Sequence, residues 1–213
     1  MSMWNEELVK SLFDGMVCLI LIIVSAPLCL VIAILIMLES RGPVLFVQTA
    51  LGKGCQPFPM YKFRTMHVNS DGTDHQKAVF ENLMYQKPAT FDENGQPIYK
   101  TAMMDDRRIT RVGKYLRRTS LDEFPQFLNV LRGEMSLVGP RPALPYEAAL
   151  YTERQRERFL VKPGITGLYQ VTARNRVPIE EMIRIDLEYI RRRSFWYDLW
   201  ILIQTPRAML YGL

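Results

Sequence analysis

Hydrophobic and polar positions fall into unequal patterns along the chain. From residue 15 to residue 38 there is no charge at all (GMVCLILIIVSAPLCLVIAILIML). A helix of that length, about 36 Å, matches a hydrocarbon layer of about 30 Å. Buried core helices are usually shorter, and no other segment is apolar enough to surround this one. A cleaved leader does not fit either, because Glu6, Glu7 and Asp14 precede the run where positive charge would be needed. Pro27 lies mid-run. It has no amide hydrogen and its ring meets the Ile23 carbonyl, so the helix is expected to kink or break there, with the Ser25 hydroxyl as a candidate partner for the freed groups. Such a helix can cross a membrane, or bend sharply and return so that both ends stay on one side.

Beyond it the pattern shortens. Arg41-Gly42-Pro43 ends the helix, residues 44–48 (VLFVQ) are strand-like, and Gly52-Lys53-Gly54 marks a tight turn. Residues 58–65 (FPMYKFRT) alternate as the return strand of a hairpin, with Tyr61, Phe63 and Thr65 on one face and Lys62 and Arg64 on the other. Residues 67–105 are polar and turn-rich, a surface excursion with an amphipathic stretch at 75–85 and a small hairpin at 91–99. Ile109, Val112 and Leu116 repeat at helical spacing, a helix is expected over 126–131, and residues 168–171 are strand-like. Residues 180–193 form an amphipathic helix with Met182, Ile183, Ile185, Asp186, Tyr189 and Ile190 near one side. The last segment (SFWYDLWILIQTPRAMLYGL) follows Arg191-Arg192-Arg193 and interleaves Trp196, Tyr197, Trp200 and Tyr211 with apolar positions. Interrupted by Asp198 and Pro206, it is either an interfacial helix lying on a membrane or a helix packed into the core.

Composition excludes little beyond disorder, collagen and low complexity: 48% of the 213 residues are apolar and 23% charged. Charge changes the picture more. The chain carries +5, yet residues 1–40 hold one basic residue (Lys10) against four acidic ones, and residues 41–213 hold 26 basic against 18 acidic. An apolar, weakly acidic head joins a basic body, which the positive-inside rule places on the cytoplasmic side. Cys18, Cys29 and Cys55 form no CxxC pair and have no His at ligand spacing, so neither a disulfide framework nor zinc is indicated.

Candidate chemistry concentrates in residues 105–142 (DDRRITRVGKYLRRTSLDEFPQFLNVLRGEMSLVGPRP). Arg107, Arg111, Lys114 and Arg118 recur at helical spacing and run towards the paired carboxylates Asp122 and Glu123. A basic stripe alone is a solvated face; beside two carboxylates it suits a phosphate together with a divalent cation. Ser120 and Glu123 match a capping box, but Pro125 would then fall at the fifth helical position. A start nearer Phe124 puts Pro125 in the first turn and leaves both carboxylates at the positive end of the helix. An aspartate kept ionised by arginines is a competent nucleophile toward phosphorus. Pro140-Arg141-Pro142 displays Arg141 on a stiff extended support suited to bidentate phosphate recognition. Residues 162–167 (KPGITG) make a second rigid loop.

At Lys62-Phe63-Arg64-Thr65-Met66, at residues 119–126 (TSLDEFPQ), 135–142 (MSLVGPRP) and 162–171 (KPGITGLYQV), the chain closely resembles the bacterial sugar transferases. These are also called monotopic phosphoglycosyl transferases or polyprenyl-phosphate hexose-1-phosphate transferases, and the likeness is to their short form. It runs from the apolar helix to the terminal tryptophans. The resemblance implies transfer of a sugar 1-phosphate from a UDP-sugar to a membrane polyprenyl phosphate (undecaprenyl phosphate) with loss of UMP, at the cytoplasmic face of the bacterial inner membrane. It implies that Asp122 attacks the phosphorus in a ping-pong mechanism, that Glu123 helps hold Mg²⁺, and that Lys62, Arg64, Arg117 and Arg141 bind substrate phosphate. Arg117 lies off the basic stripe. It also implies a re-entrant helix bent at a Ser-Pro pair, which here is Ala26-Pro27 with Ser25 one place early. Two further departures are Gln48-Thr49-Ala50, where an Arg is usual, and Thr172-Ala173-Arg174, where Asn-Gly-Arg or Ser-Gly-Arg is usual. Residues 141–146 (RPALPY) and the 67–105 insertion resemble the exopolysaccharide members, which favours a hexose 1-phosphate.

The expected fold is then α+β and mainly helical. A re-entrant membrane helix over 1–40 anchors a catalytic domain over 41–213 built from small β-hairpin elements and interfacial amphipathic helices. The alternative is a non-catalytic membrane module that binds anionic lipid through its basic face, which leaves Asp122 and Glu123 without a task. A nucleic-acid binder is disfavoured by the membrane helix and the absence of a binding motif. The oligomeric state stays open, a homo-oligomer included.

Overall fold

The computed structural model describes residues 3–68, 73–91, 94–99 and 108–211. The first element, α1 (Met3–Glu39), is one helix with Pro27 inside it, so the proline does not interrupt the element. A single missing donor removes one rung while the turns on either side hold. The Ser25 hydroxyl donates to the Ile22 carbonyl (3.5 Å), one residue short of the carbonyl that Pro27 frees. A stripe of α1 running through Asp14, Cys18, Ile22, Ser25, Cys29, Ile32 and Ile36 is buried or half-buried, at the spacing of one helix face. Its other faces are exposed and apolar, from Leu12 and Met16 through Val24 to Leu38.

Both flanks of α1 hold the same body. Near the N-terminus Glu7 pairs with Lys53 (2.9 Å), Lys10 pairs with Asp198, and Asp14 accepts a hydrogen bond from the Ser136 hydroxyl (2.6 Å). Near the C-terminus Ile32 and Ile36 close a small apolar cluster with Phe63 and Leu116.

The expected hairpin forms from β1 (Leu45–Leu51) and β2 (Pro57–Phe63), antiparallel with Leu45 opposite Phe63. Gly54, at φ +66°, supplies the turn. The polar excursion contains α2 (Thr73–Tyr85) and a small hairpin of β3 (Thr90–Phe91) and β4 (Pro97–Ile98). Then come α3 (Arg111–Thr119), a 3₁₀ helix (Leu121–Gln126), α4 (Phe127–Leu131) and β5 (Ser136–Val138). Strand β5 pairs in parallel with β6 (Gly164–Thr166), with α5 (Pro145–Ala148) and α6 (Glu153–Arg156) between them.

Residues 168–171 are not a strand: α7 (Leu168–Thr172) opens after Gly167. An apolar run of four has no period of its own, and one helical turn lets Leu168, Tyr169 and Val171 all reach the core. The chain ends in α8 (Ile179–Arg192) and α9 (Phe195–Tyr211). Helix α9 divides between the two expectations for it. Ile201 and Ala208 are in the core, while Phe195, Trp196, Trp200 and Ile203 are exposed. The Phe13 ring meets Phe195 edge-on at 5.3 Å, so the exposed apolar surfaces of α1 and α9 adjoin.

Candidate active site

The end of β2 acts as a junction, because four consecutive side chains reach different elements. Lys62 Nζ pairs with Glu123 Oε1 at 3.2 Å, each side chain about a quarter exposed (26% and 29%). Phe63 packs on Ile32 and Ile36 of α1. Arg64 is buried, with Nη1 donating to the Arg41 carbonyl (2.8 Å) and Nη2 to the Ser40 carbonyl (2.7 Å) and hydroxyl (3.0 Å). Arg64, expected from the resemblance to bind substrate phosphate, thus has both terminal nitrogens engaged by the residues that follow α1. Its positive charge closes the C-terminal end of α1, where unpaired carbonyls collect. Thr65 Oγ1 accepts from Arg117 Nε (2.8 Å), and the Thr65 carbonyl accepts from the Thr110 amide (3.0 Å).

Helix α3 is pressed against this strand end. A Cβ at Gly113 would overlap the Thr65 carbonyl oxygen. The first turn of α3 is capped twice. Thr110 Oγ1 accepts from the Gly113 amide (2.9 Å), and the Glu39 carboxylate, arriving from α1, accepts from the amides of Arg111 (2.6 Å) and Val112 (2.9 Å). Arg117 is therefore fixed by β2 and α1 together. Arg111, Lys114 and Arg118 are exposed, so the basic stripe is a solvent-facing surface, and the half-buried arginine is Arg117, off the stripe. Arg107 lies outside the described residues.

Asp122 and Glu123 occupy the first turn of the 3₁₀ helix, which begins at Leu121, upstream of the expected start. The capping box does not form. Ser120 takes a left-handed conformation (φ +57°) and its hydroxyl accepts from Arg174. The tighter i to i+3 winding takes Pro125 at the cost of one bond. Both carboxylates are half-buried.

Arg141 lies in a cluster of its own. Its Nη1 and Nη2 reach the buried Glu147 carboxylate at 3.1–3.4 Å, and its carbonyl accepts from Arg158 (2.8 Å). Arg158 pairs with Asp186 at 2.6 Å, both side chains 1% exposed, and donates to the Tyr151 hydroxyl (2.9 Å). Burial pushes the Asp186 carboxyl up to about 6. Sequence reasoning missed Glu147 and Arg158; the visible signal was Asp186, a carboxylate on the apolar side of its helix.

Among the described residues no group of three or more His, Cys, Asp or Glu side chains gathers. The neighbouring carboxylates Asp122 and Glu123 fit the way magnesium is often held, by one or two carboxylates with substrate phosphates completing the shell. A cavity of about 220 Å³, lined by Lys53, Phe58, Gly133 and Lys162 among others, includes none of the candidate site residues.

A family model described as bacterial sugar transferase matches residues 5–212. The chain belongs to the bacterial sugar transferase family. It is 39% identical over 212 residues to the UDP-glucose:undecaprenyl-phosphate glucose-1-phosphate transferase of Caulobacter vibrioides, which covers 96% of this chain and 70% of that one. It is 37% identical over 194 residues to a galactosyl transferase of Streptococcus agalactiae (89% of this chain, 40% of the relative). With an exopolysaccharide production protein of Sinorhizobium fredii it shares 35% over 202 residues (94% and 84%). The chain thus spans about two-fifths of the streptococcal relative's length and most of the other two. Of the site residues that the resemblance implies, Lys62 and Glu123 meet directly, Asp122 adjoins Glu123, and Arg117 is joined to Thr65, two residues past the end of β2.

Proposed function

We propose that this chain transfers a sugar 1-phosphate from a UDP-sugar to a polyprenyl phosphate and releases UMP. The observation that carries the reading is the partly exposed Lys62–Glu123 pair beside Asp122, on a strand that also packs against the apolar helix α1. The Asp122 carboxylate attacks the sugar-bearing phosphorus. An O–P bond forms to Asp122 as the bridging P–O bond to UMP breaks. A phosphate oxygen of the lipid then attacks the same phosphorus and releases Asp122. Two steps suit a donor that arrives from water and an acceptor that stays in the bilayer. Lys62 and Arg117 oppose the negative charge that gathers when two phosphates meet a carboxylate. Glu123 would help hold Mg²⁺, and the ion would supply further neutralisation there. Relatives named for glucose 1-phosphate transfer, for galactosyl transfer and for exopolysaccharide production support a hexose donor, and the named acceptor of the first supports undecaprenyl phosphate.

The same reading makes α1 re-entrant in the cytoplasmic membrane, with the body on the cytoplasmic face. Between the buried Cys18 and Ile32 there is about 20 Å of helix, short of a hydrocarbon layer of about 30 Å.

The test is UMP release by purified protein with Mg²⁺, undecaprenyl phosphate and a panel of UDP-sugars. Asp122→Asn is expected to lower the rate about a thousandfold or more. Without lipid acceptor, the wild type should release about one equivalent of UMP and stop. If no donor supports release, the lipid-binding module replaces this reading. A cysteine at Ser2, in a background lacking Cys18, Cys29 and Cys55, should be shielded from an impermeant reagent in whole cells; labelling there would establish a spanning helix.

A further inference from the structure

Arg141 is fixed more firmly than a displayed loop residue needs to be. Its guanidinium meets both oxygens of Glu147, a side chain 1% exposed, while a third of the Arg141 side chain stays exposed. Glu147 is itself anchored, because its Oε2 also accepts from the amide of Leu144 (3.2 Å), the residue that caps the start of α5. The Arg141 backbone is held from the other side by Arg158, which Asp186 and Tyr151 lock in place. Three charged side chains, Glu147, Arg158 and Asp186, are thus taken out of water around one arginine. Burying charge is costly, and apolar packing would stabilise the fold as well or better. The arrangement gains a guanidinium whose orientation is set before any ligand arrives. Glu147 takes the Nη1–Nη2 end of the fork, which leaves the Nε–Nη2 edge to take two oxygens of one phosphate.

We infer that Glu147 is a positioning residue, aiming Arg141 at a phosphate of the nucleotide donor. The inference rests on the reading of Arg141 as a phosphate-binding residue. UDP is a suitable probe because it carries the diphosphate common to all UDP-sugars, whatever the sugar. Its binding to the full chain in detergent with Mg²⁺ is measured by calorimetry, alongside thermal melting. Arg141→Ala is expected to weaken UDP about tenfold, the loss of one charge-assisted contact. Glu147→Gln, which keeps shape and the bond to Leu144, is expected to weaken it about threefold or more with its melting temperature near the wild type. The double variant is expected to bind no more weakly than Arg141→Ala alone, since Glu147 acts only through Arg141.

Wild-type affinity in Glu147→Gln, with or without a lower melting temperature, would make Glu147 a structural residue and overturn the inference. So would a double variant in which both losses multiply. In either case the phosphate-binding reading of Arg141 survives. Wild-type affinity in Arg141→Ala, or no UDP binding by the wild type, removes that underlying reading and the inference with it.

Discussion

Arg158–Asp186 and Lys62–Glu123 are ion pairs of the same chemistry in opposite surroundings. The first closes at 2.6 Å with both side chains 1% exposed, and the second stands at 3.2 Å with about a quarter of each side chain open to water. A buried pair cannot trade partners, because removing either member strands a charge in a medium that cannot solvate it. The partly exposed pair opens at small cost, as the proposed roles of Lys62 towards substrate phosphate and Glu123 towards a cation require. Burial therefore separates scaffold from candidate site where charge counting ranks the two alike.

The contrast can be broken most forcefully at the buried end. Arg158→Met is expected to cost about 3–5 kcal/mol in denaturant unfolding. That loss should shrink as pH falls towards 6, because without Arg158 the stranded Asp186 carboxyl is pushed further up and takes a proton there. At the working site, Lys62→Met should change stability by less than about 1 kcal/mol yet slow UMP release about a hundredfold. A Lys62→Met loss as large as that of Arg158→Met would collapse the distinction.

Asp186 offers a sharper measurement. Its folded-state carboxyl, pushed up to about 6 by burial, binds a proton more readily than in the unfolded chain. Its contribution to stability therefore rises as pH falls from 6 towards 4 and is lost as pH climbs back through 6. Asp186→Asn removes that slope, so the stability difference between variant and wild type should move in the variant's favour as pH rises from 4 to 6.5. The smallest effect belongs to Lys53→Ala. The Glu7–Lys53 pair is 45–52% exposed, and less than about 0.5 kcal/mol is expected there.

What the sequence made legible was local. The hairpin at 45–63 and the helix at 179–192 follow from periods of two and three-and-a-half, and each formed within a few residues of its expected bounds. Asp122 and Glu123 were visible because a carboxylate pair beside arginines has few idle explanations. The rest was not legible because the deciding partner lies far along the chain. The partners of Arg64, the carbonyls of Ser40 and Arg41, belong to a helix end that only the folded chain brings near. The stripe of Arg111, Lys114 and Arg118 had the better spacing, but Gly113 and Thr65 turn the helix so that Arg117 faces the strand. Residues 168–171 are too few to declare a period.

Helix α1 has a preparative consequence. Its C-terminal part and the two residues after it supply the carboxylate that caps α3, carbonyls that accept from Arg64, and the isoleucines that cover Phe63 and Leu116. Cutting the chain after residue 40 to obtain a detergent-free protein would remove a wall of the candidate site and not merely a tether. Choosing a detergent for this protein is, by the same contacts, choosing how firmly Arg117 is held.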